Sequence, residues 1–262
     1  MRKRTRHIIS PQGDKGDNTR SEELITVILL SEKAGRRMKS YGPTPLIRLG
    51  DSTLLDKQIE AIRSVFINYE IIICAGFDCD RVVKYVRDKY ARMPIRIVEN
   101  QIHHHSNCCE SSRLCLNNTT NSKVLLCNGS LLFDSRVLSL AMNDGSYVIS
   151  ECEASKFSNL EVGMTIGENG HTNNFCYGLD NIWSEIVFLD GEPIIETFRK
   201  IVSSVDYKNR FVFEALNNLN KTKHKLKVVS NDQAPVIKIN NIKTYHEVRK
   251  NYAGANTKLR NP

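Results

Sequence analysis

The feature that most constrains this chain is an apolar run, Ile25 and then Val27-Ile28-Leu29-Leu30, which passes directly into Ser31-Glu32-Lys33-Ala34-Gly35-Arg36-Arg37-Met38. Unbroken aliphatic and β-branched residues bounded by turn signals suit a strand covered on both faces. The loop behind it carries one glycine among the cations Lys33, Arg36, Arg37 and Lys39, and guanidinium groups match phosphate oxygens in bidentate fashion. Exposed or ion-paired loop charges are the competing reading of these four. Next come Pro43-Thr44-Pro45-Leu46, a strand-like Leu46 to Leu49, a turn at Gly50-Asp51, and a helix that puts Leu55, Ile59, Ile62 and Phe66 on one face. Strand, basic glycine loop, proline pair, strand and helix form an arrangement that can hold a nucleotide phosphate.

The pattern then alternates. Glu70 to Phe77 reads as a second buried strand ending at Gly76, Asp80 to Tyr90 as a helix with Val82, Val83 and Val86 on its stripe, and Ile95 to Val98 as a third strand. Strands alternating with helices of this length predict βαβ units and a parallel sheet. Ligands of such sheets sit outside the carboxyl ends of the strands, so loops 31–38, 76–80 and 99–109 are expected to converge on one edge. Further on, Lys123 to Asn128 reads as a strand ending at Asn128-Gly129-Ser130, with Asp134 capping a helix from Ser135 to Ala141. Tyr147 to Ser150, Trp183 to Leu189 and Leu226 to Val229 read as strands, Pro193 to Val202 and Phe211 to Leu219 as helices. Residues 157–182 are rich in Gly and Asn and are assigned no element.

A chain of 262 residues, 40% hydrophobic, can bury the core of one α/β domain. That domain is expected at 23–252, between a basic flexible tail at 1–22 and a short tail at 253–262. Thirty-seven Lys and Arg against 29 Asp and Glu give a net charge of +8 and favour anionic partners: a phosphate compound, nucleic acid, or an acidic protein face for the N-terminal tail. A solvated surface of scattered charge is the simpler account. No run approaches the roughly 20 apolar residues of a membrane span, and the basic start is not followed by a secretory signal. Cys74, Cys79, Cys108, Cys109, Cys115, Cys127, Cys152 and Cys176 therefore read as reduced thiols of a cytoplasmic protein.

Loop 99–109 places His103-His104-His105 beside Cys108-Cys109, ligand types that suit zinc. Adjacent ligands without the usual gaps cannot all face one ion, which favours a polar loop. Ser106 or Asn107 is also placed to cap the helix that follows.

Taken in order, Ile28-Leu29-Leu30, Gly35, Arg37-Met38, Pro43, Pro45-Leu46, Gly50, Leu54-Leu55 and Gln58-Ile59-Glu60 resemble the opening of the sugar-phosphate and phosphocholine nucleotidyltransferases. Lys123 to Asp134 is similar to that family's Asn-Gly-Asp-x-x-Phe-Asp segment, and Val236 to Val248 to its closing segment. Asn100, Ser106 and Asn107 match an Asn-x-x-Tyr-x-x-Ser/Thr-Asn stretch of the phosphocholine branch, with His103 at the aromatic position. The resemblance implies an α/β fold, a three-layer sandwich with a mostly parallel, Rossmann-like (GT-A type) central sheet. It also implies that a nucleoside triphosphate is held at Gly35, Ser106, Asn107, Asn128 and Gly129; Lys33, which stands where the family has a glycine, joins them with Arg36 and Arg37 as a cation able to attract the phosphates, and Gly76 as the glycine ending the second strand. The family's catalytic lysine falls on Thr44, and its Mg²⁺ carboxylates fall on Ser130 and Asn240, which are then the metal candidates if the chain is active. No residue is assigned as catalytic. The expectation is nucleotide binding with weak or lost catalysis. The alternatives are an active transferase using Mg²⁺ and a phosphocholine-, phosphonate- or sugar-phosphate-type acceptor, or a non-enzymatic docking subunit of a larger assembly.

Overall fold

The computed structural model describes residues 23–35, 37–140, 145–151, 161–232 and 234–258, with side chains described up to residue 251. The tail at 1–22, Arg36, Ala141, Cys152 and the last four residues lie outside that set. The apolar run forms β1 (Ile25–Ser31), flanked in parallel by β4 (Tyr69–Ala75) and β6 (Lys123–Asn128), with β5 (Ile95–Glu99) parallel to β4. Between β1 and β4 the chain forms a 3₁₀ turn over Thr44–Leu46, the small hairpin β2 (Arg48–Leu49) and β3 (Ser52–Thr53), and helix α1 (Leu54–Val65). Thr53 and Asp56 close a reciprocal capping box at the α1 N-terminus. Helix α2 (Cys79–Tyr90) joins β4 to β5, and α3 (Cys108–Leu116) joins β5 to β6.

Side chains alternate across β1, and the two sets bury different partners. Ile25, Val27 and Leu29 pack with Leu55, Ile59 and Ile62 of α1, Val82 and Val86 of α2, and Val137 and Leu138 of α4 (Ser135–Ser139). Ile28 and Leu30 pack with Cys109, Cys115 and Leu116 of α3, with Ile195 and Phe198 of α5 (Glu192–Ser203), and with Leu216 and Leu219 of α6 (Val212–Asn220). The molecule is thus three layers, helices on both faces of one sheet. The parallel block β6-β1-β4-β5 is the expected central sheet.

Beyond β6 the sheet turns antiparallel. The ten-residue β11 (Asn181–Asp190) pairs with β6 on one side, and on the other with β8 (Tyr147–Glu151) and β9 (Val162–Ile166), while β12 (Lys227–Asn231) lies parallel to β8. Strand β10 (Thr172–Tyr177) forms an antiparallel pair with β9 inside the Gly- and Asn-rich stretch to which the sequence pattern assigned no element. Two short strands, β7 (Leu131–Leu132) and β13 (Ile237–Lys238), bring the C-terminal segment back beside the end of β6. Helix α7 (Ile242–Lys258) follows and passes the expected domain boundary at 252. Tyr245 and Val248 of α7 share a third apolar cluster with Met38, Ile47, Leu49, Leu54 and Ile239, which ties the glycine loop to the end of the chain. Among the described residues no helix is long and apolar enough to cross a membrane.

Candidate functional site

The carboxyl ends of β1 and β6 open into a cavity of about 600 Å³. Its polar side is Ser31 to Gly35, Thr44, Asn107, Asn128, Ser130, Lys238 and Asn240; its apolar side includes Val162, Tyr177, Trp183, Val187, Phe211 and Phe213. Two glycines make this possible through proximity, not through their backbone angles. A Cβ on Gly129 would stand 1.8 Å from Ser31 Oγ, and one on Gly35 would stand 2.9 Å from the Asn240 carbonyl oxygen. The β1 loop, the β6 turn and the C-terminal segment therefore touch backbone to backbone. Buried Gln58 of α1 fastens the same turn, donating to the carbonyls of Gly129 (3.2 Å) and Leu131 (2.8 Å), and Ile239 donates to the Ser130 carbonyl at 2.8 Å.

The expected site residues divide into those that reach the cavity and those behind it. Lys33, Gly35, Thr44, Asn107, Asn128, Ser130 and Asn240 line it. Lys33 Nζ donates to Asn107 Oδ1 at 3.0 Å, and the same oxygen caps α3 by accepting from the Cys108 amide. Thr44 is 2% exposed and donates to the Lys33 carbonyl at 2.8 Å, so its hydroxyl shapes the loop and offers the cavity no charge. Ser106 does not line the cavity: it is buried, within 3.0 Å of Asn100 Nδ2 and donating to the Ile102 carbonyl. Gly76 is likewise behind the cavity wall, where a Cβ would meet the Glu32 carbonyl at 2.6 Å and His103 at 2.7 Å. Gly129 packs beneath the cavity against Ser31, and exposed Arg37 takes a positive φ of 59° in the turn outside it. Arg36 lies outside the described residues. The histidine loop closes on itself, with His103 and His104 rings 3.8 Å apart and His103 Nδ1 3.1 Å from the Asn100 carbonyl.

Two residues that sequence reasoning passed over dominate the electrostatics. Lys238 of β13 forms an ion pair with Glu185 of β11 on the cavity wall. Glu185 also accepts from Asn128 Nδ2, and Asn128 Oδ1 accepts from the Ser130 amide at 2.9 Å and the Ser130 hydroxyl at 2.8 Å. Glu185 sits where the β11–β8 register breaks between Trp183 and Val187, and its φ of 61° is a strained value for a residue with a Cβ. Burial works against the charge of Lys238, but the field of Glu185 and its hydrogen bond outweigh that and move the amine upward from its ordinary value. A second carboxyl, Glu32, is 4% exposed; burial pushes it upward, against the pull of backbone hydrogen bonding, Lys33 and Ser111.

Mg²⁺ takes oxygen ligands and is ordinarily held by one or two carboxylates together with substrate phosphates. At the two candidate positions the donors are the Ser130 hydroxyl, already committed to Asn128, and the side chain of Asn240, whose Oδ1 accepts from Asn241 at 2.9 Å. Among the described residues no group of three His, Cys, Asp or Glu is placed to hold a metal ion. Two carboxylates line the same cavity, but Glu185 is paired with Lys238 and burial disfavours the charged form of Glu32, so the two expected positions themselves offer a divalent cation only neutral oxygens.

No protein-family model and no curated protein matches the chain. Solved structures do. CTP:phosphocholine cytidylyltransferase from Streptococcus pneumoniae superposes with a TM-score of 0.68 at 16% identity, covering 86% of this chain and 98% of that one. The chain has the nucleotidyltransferase fold. Inositol-1-phosphate CTP transferase from T. maritima matches with a TM-score of 0.69 at 16% identity over 87% of this chain and 95% of its own. UDP-glucose pyrophosphorylase complexed with UDP-glucose matches with 0.65 at 12% identity over 88% and 99%. At such identities the nucleotidyltransferase fold is what is shared, and the chemistry rests on the residues of the cavity.

Proposed function

We propose that this chain binds a nucleoside triphosphate in the cavity between β1, β6 and β13 and performs little or no transfer chemistry on it. One observation carries the reading: the cavity wall has Lys33 and Gly35 of the β1 loop and an aromatic side suited to a nucleotide, while Thr44, Ser130 and Asn240 are neutral. Nucleotidyl transfer depends on positioning and on neutralising charge at the reacting phosphate, so each missing charged group lowers the rate by about 10²-fold or more.

A second reading, retained transfer to a phosphocholine-, phosphonate- or sugar-phosphate-type acceptor, is favoured by the amines of Lys33 and Lys238 on the same cavity wall. Calorimetric titration with CTP, UTP, GTP and ATP, followed by pyrophosphate release with candidate acceptors, separates the two. The first reading expects binding of at least one triphosphate with no release above the protein-free blank. Sustained release overturns it in favour of the second, and no binding of any of the four overturns both.

A further inference from the structure

Helix α7 is held to the body by little of its surface. Over Ile242 to Asn251, Tyr245 and Val248 alone are buried, at 3% and 4% exposure. Both enter the apolar cluster of Met38, Ile47, Leu49 and Leu54, which lies under the basic loop. That loop is a chain of short contacts. Lys33 and Gly35 line the cavity, the Met38 amide donates to the Gly35 carbonyl at 2.9 Å, and the Tyr41 amide donates to the Met38 carbonyl at 2.9 Å. Tyr41 then meets α7 directly: its ring lies edge-on to that of Tyr245 with centroids 4.9 Å apart, and its hydroxyl is 3.5 Å from His246 Nε2. The start of α7 reaches the cavity by a second route. Asn241 caps the helix by accepting from the Thr244 amide at 3.0 Å and donates to the side chain of Asn240, which lines the cavity, at 2.9 Å.

An element with few buried apolar contacts opens at a lower free energy than the sheet it rests on. Opening α7 withdraws Tyr245 from Tyr41 and from the cluster under Met38, and it releases Asn240 from its tie to the helix cap. Lys33, Gly35 and Asn240 are then no longer held together as one wall. A ligand that touches all three binds the docked state better, and a ligand shifts an equilibrium by its differential affinity for the two states. From this we infer that α7 is a latch on the nucleotide cavity, with Tyr245 as its positioning residue: docking of the helix sets the basic loop for a triphosphate, and a bound triphosphate holds the helix down. The two effects are one coupling free energy and are reciprocal. The inference rests on the nucleotide-binding reading above.

The test combines calorimetric titration of the full chain with CTP, UTP, GTP and ATP and amide hydrogen exchange read by mass spectrometry. With a triphosphate that binds, exchange over residues 242–250 is expected to slow by about fivefold or more. Tyr245→Ala is expected to weaken that binding by about tenfold or more, and Tyr245→Phe, which keeps the ring, to stay within about threefold of the natural chain. Unchanged exchange in β1 and β4 of Tyr245→Ala establishes that the sheet is intact. Binding that leaves exchange over 242–250 unaltered overturns the inference, as does natural affinity in Tyr245→Ala; both leave the nucleotide reading standing. No heat with any of the four overturns the nucleotide reading itself. If Tyr245→Ala does not fold, exchange of the natural chain with and without the bound triphosphate still decides.

Discussion

Glu185 shows what a single residue is made to do here. Its carboxylate reaches Lys238 and Asn128 only because the β11 backbone turns into a left-handed conformation at that point. That conformation costs a side-chain-bearing residue about 1 kcal/mol or more relative to glycine. Glu185→Gly is therefore expected to be more stable than Glu185→Ala by about 1 kcal/mol in urea denaturation, although both lose the ion pair; equal stabilities would contradict the strain. Glu32 provides a second test through pH. Its carboxyl holds its proton above the ordinary value of 4.5 in the folded state, so the natural chain loses stability as pH rises from 4.5 through the folded value. Glu32→Gln has no such loss. Its melting temperature relative to the natural chain should rise between pH 4 and pH 8, and a constant gap would mean that the carboxyl is not desolvated. Neither Glu185 nor Lys238 was legible as a functional residue in the sequence, because 53 positions separate them and each reads only as a brief polar interruption of an apolar stretch. The faint signals were Ser184-Glu185 within Ile182 to Leu189, and Lys238 between Ile237 and Ile239. Thr44, Ser130 and Asn240, by contrast, were legible by position, and all three line the cavity.

At the level of elements, the units readable in advance were those whose pattern is local. β1, α1, β4, α2 and β5 each carry their own period and boundary signals, and their loops follow from the parallel order. The pairing of β9 with β10 was hidden, because strands in a Gly- and Asn-rich stretch carry little hydrophobic alternation, and β11, read in advance over Trp183 to Leu189, gave no sign of which strands it would pair with. The contact between the β1 loop and the β13–α7 segment was equally invisible, since it depends on the absence of a side chain at Gly35. Adding one methyl there drives it to 2.9 Å from the Asn240 oxygen and 2.8 Å from Met38 Sδ. Gly35→Ala is expected to destabilise the fold by about 1–3 kcal/mol and to weaken nucleotide binding, measured by thermal melting and calorimetry. A variant with unchanged stability and affinity would show that the loop and the C-terminal segment do not depend on that contact.

At the level of the whole molecule, one three-layer domain buries four of its seven described thiols on the two faces of the sheet. Cys74, Cys109, Cys115 and Cys127 are buried, and burial pushes the last three upward; it also pushes half-buried Cys108 up to about 12. Cys176 is the exposed one among the described thiols. Iodoacetamide at pH 8 should therefore label Cys176 in the native protein, with the four buried thiols labelled only in denaturant, as read by peptide mass spectrometry. Rapid native labelling of Cys127, in the middle of the sheet, would contradict this packing. The same architecture provides a reporter for the account as a whole, since the chain's single tryptophan, Trp183, lies on the cavity wall. The most direct measurement is its fluorescence during titration with CTP, UTP, GTP and ATP. The account predicts a saturable change in Trp183 emission with at least one of the four, and emission that stays flat for all of them in a folded sample would contradict it.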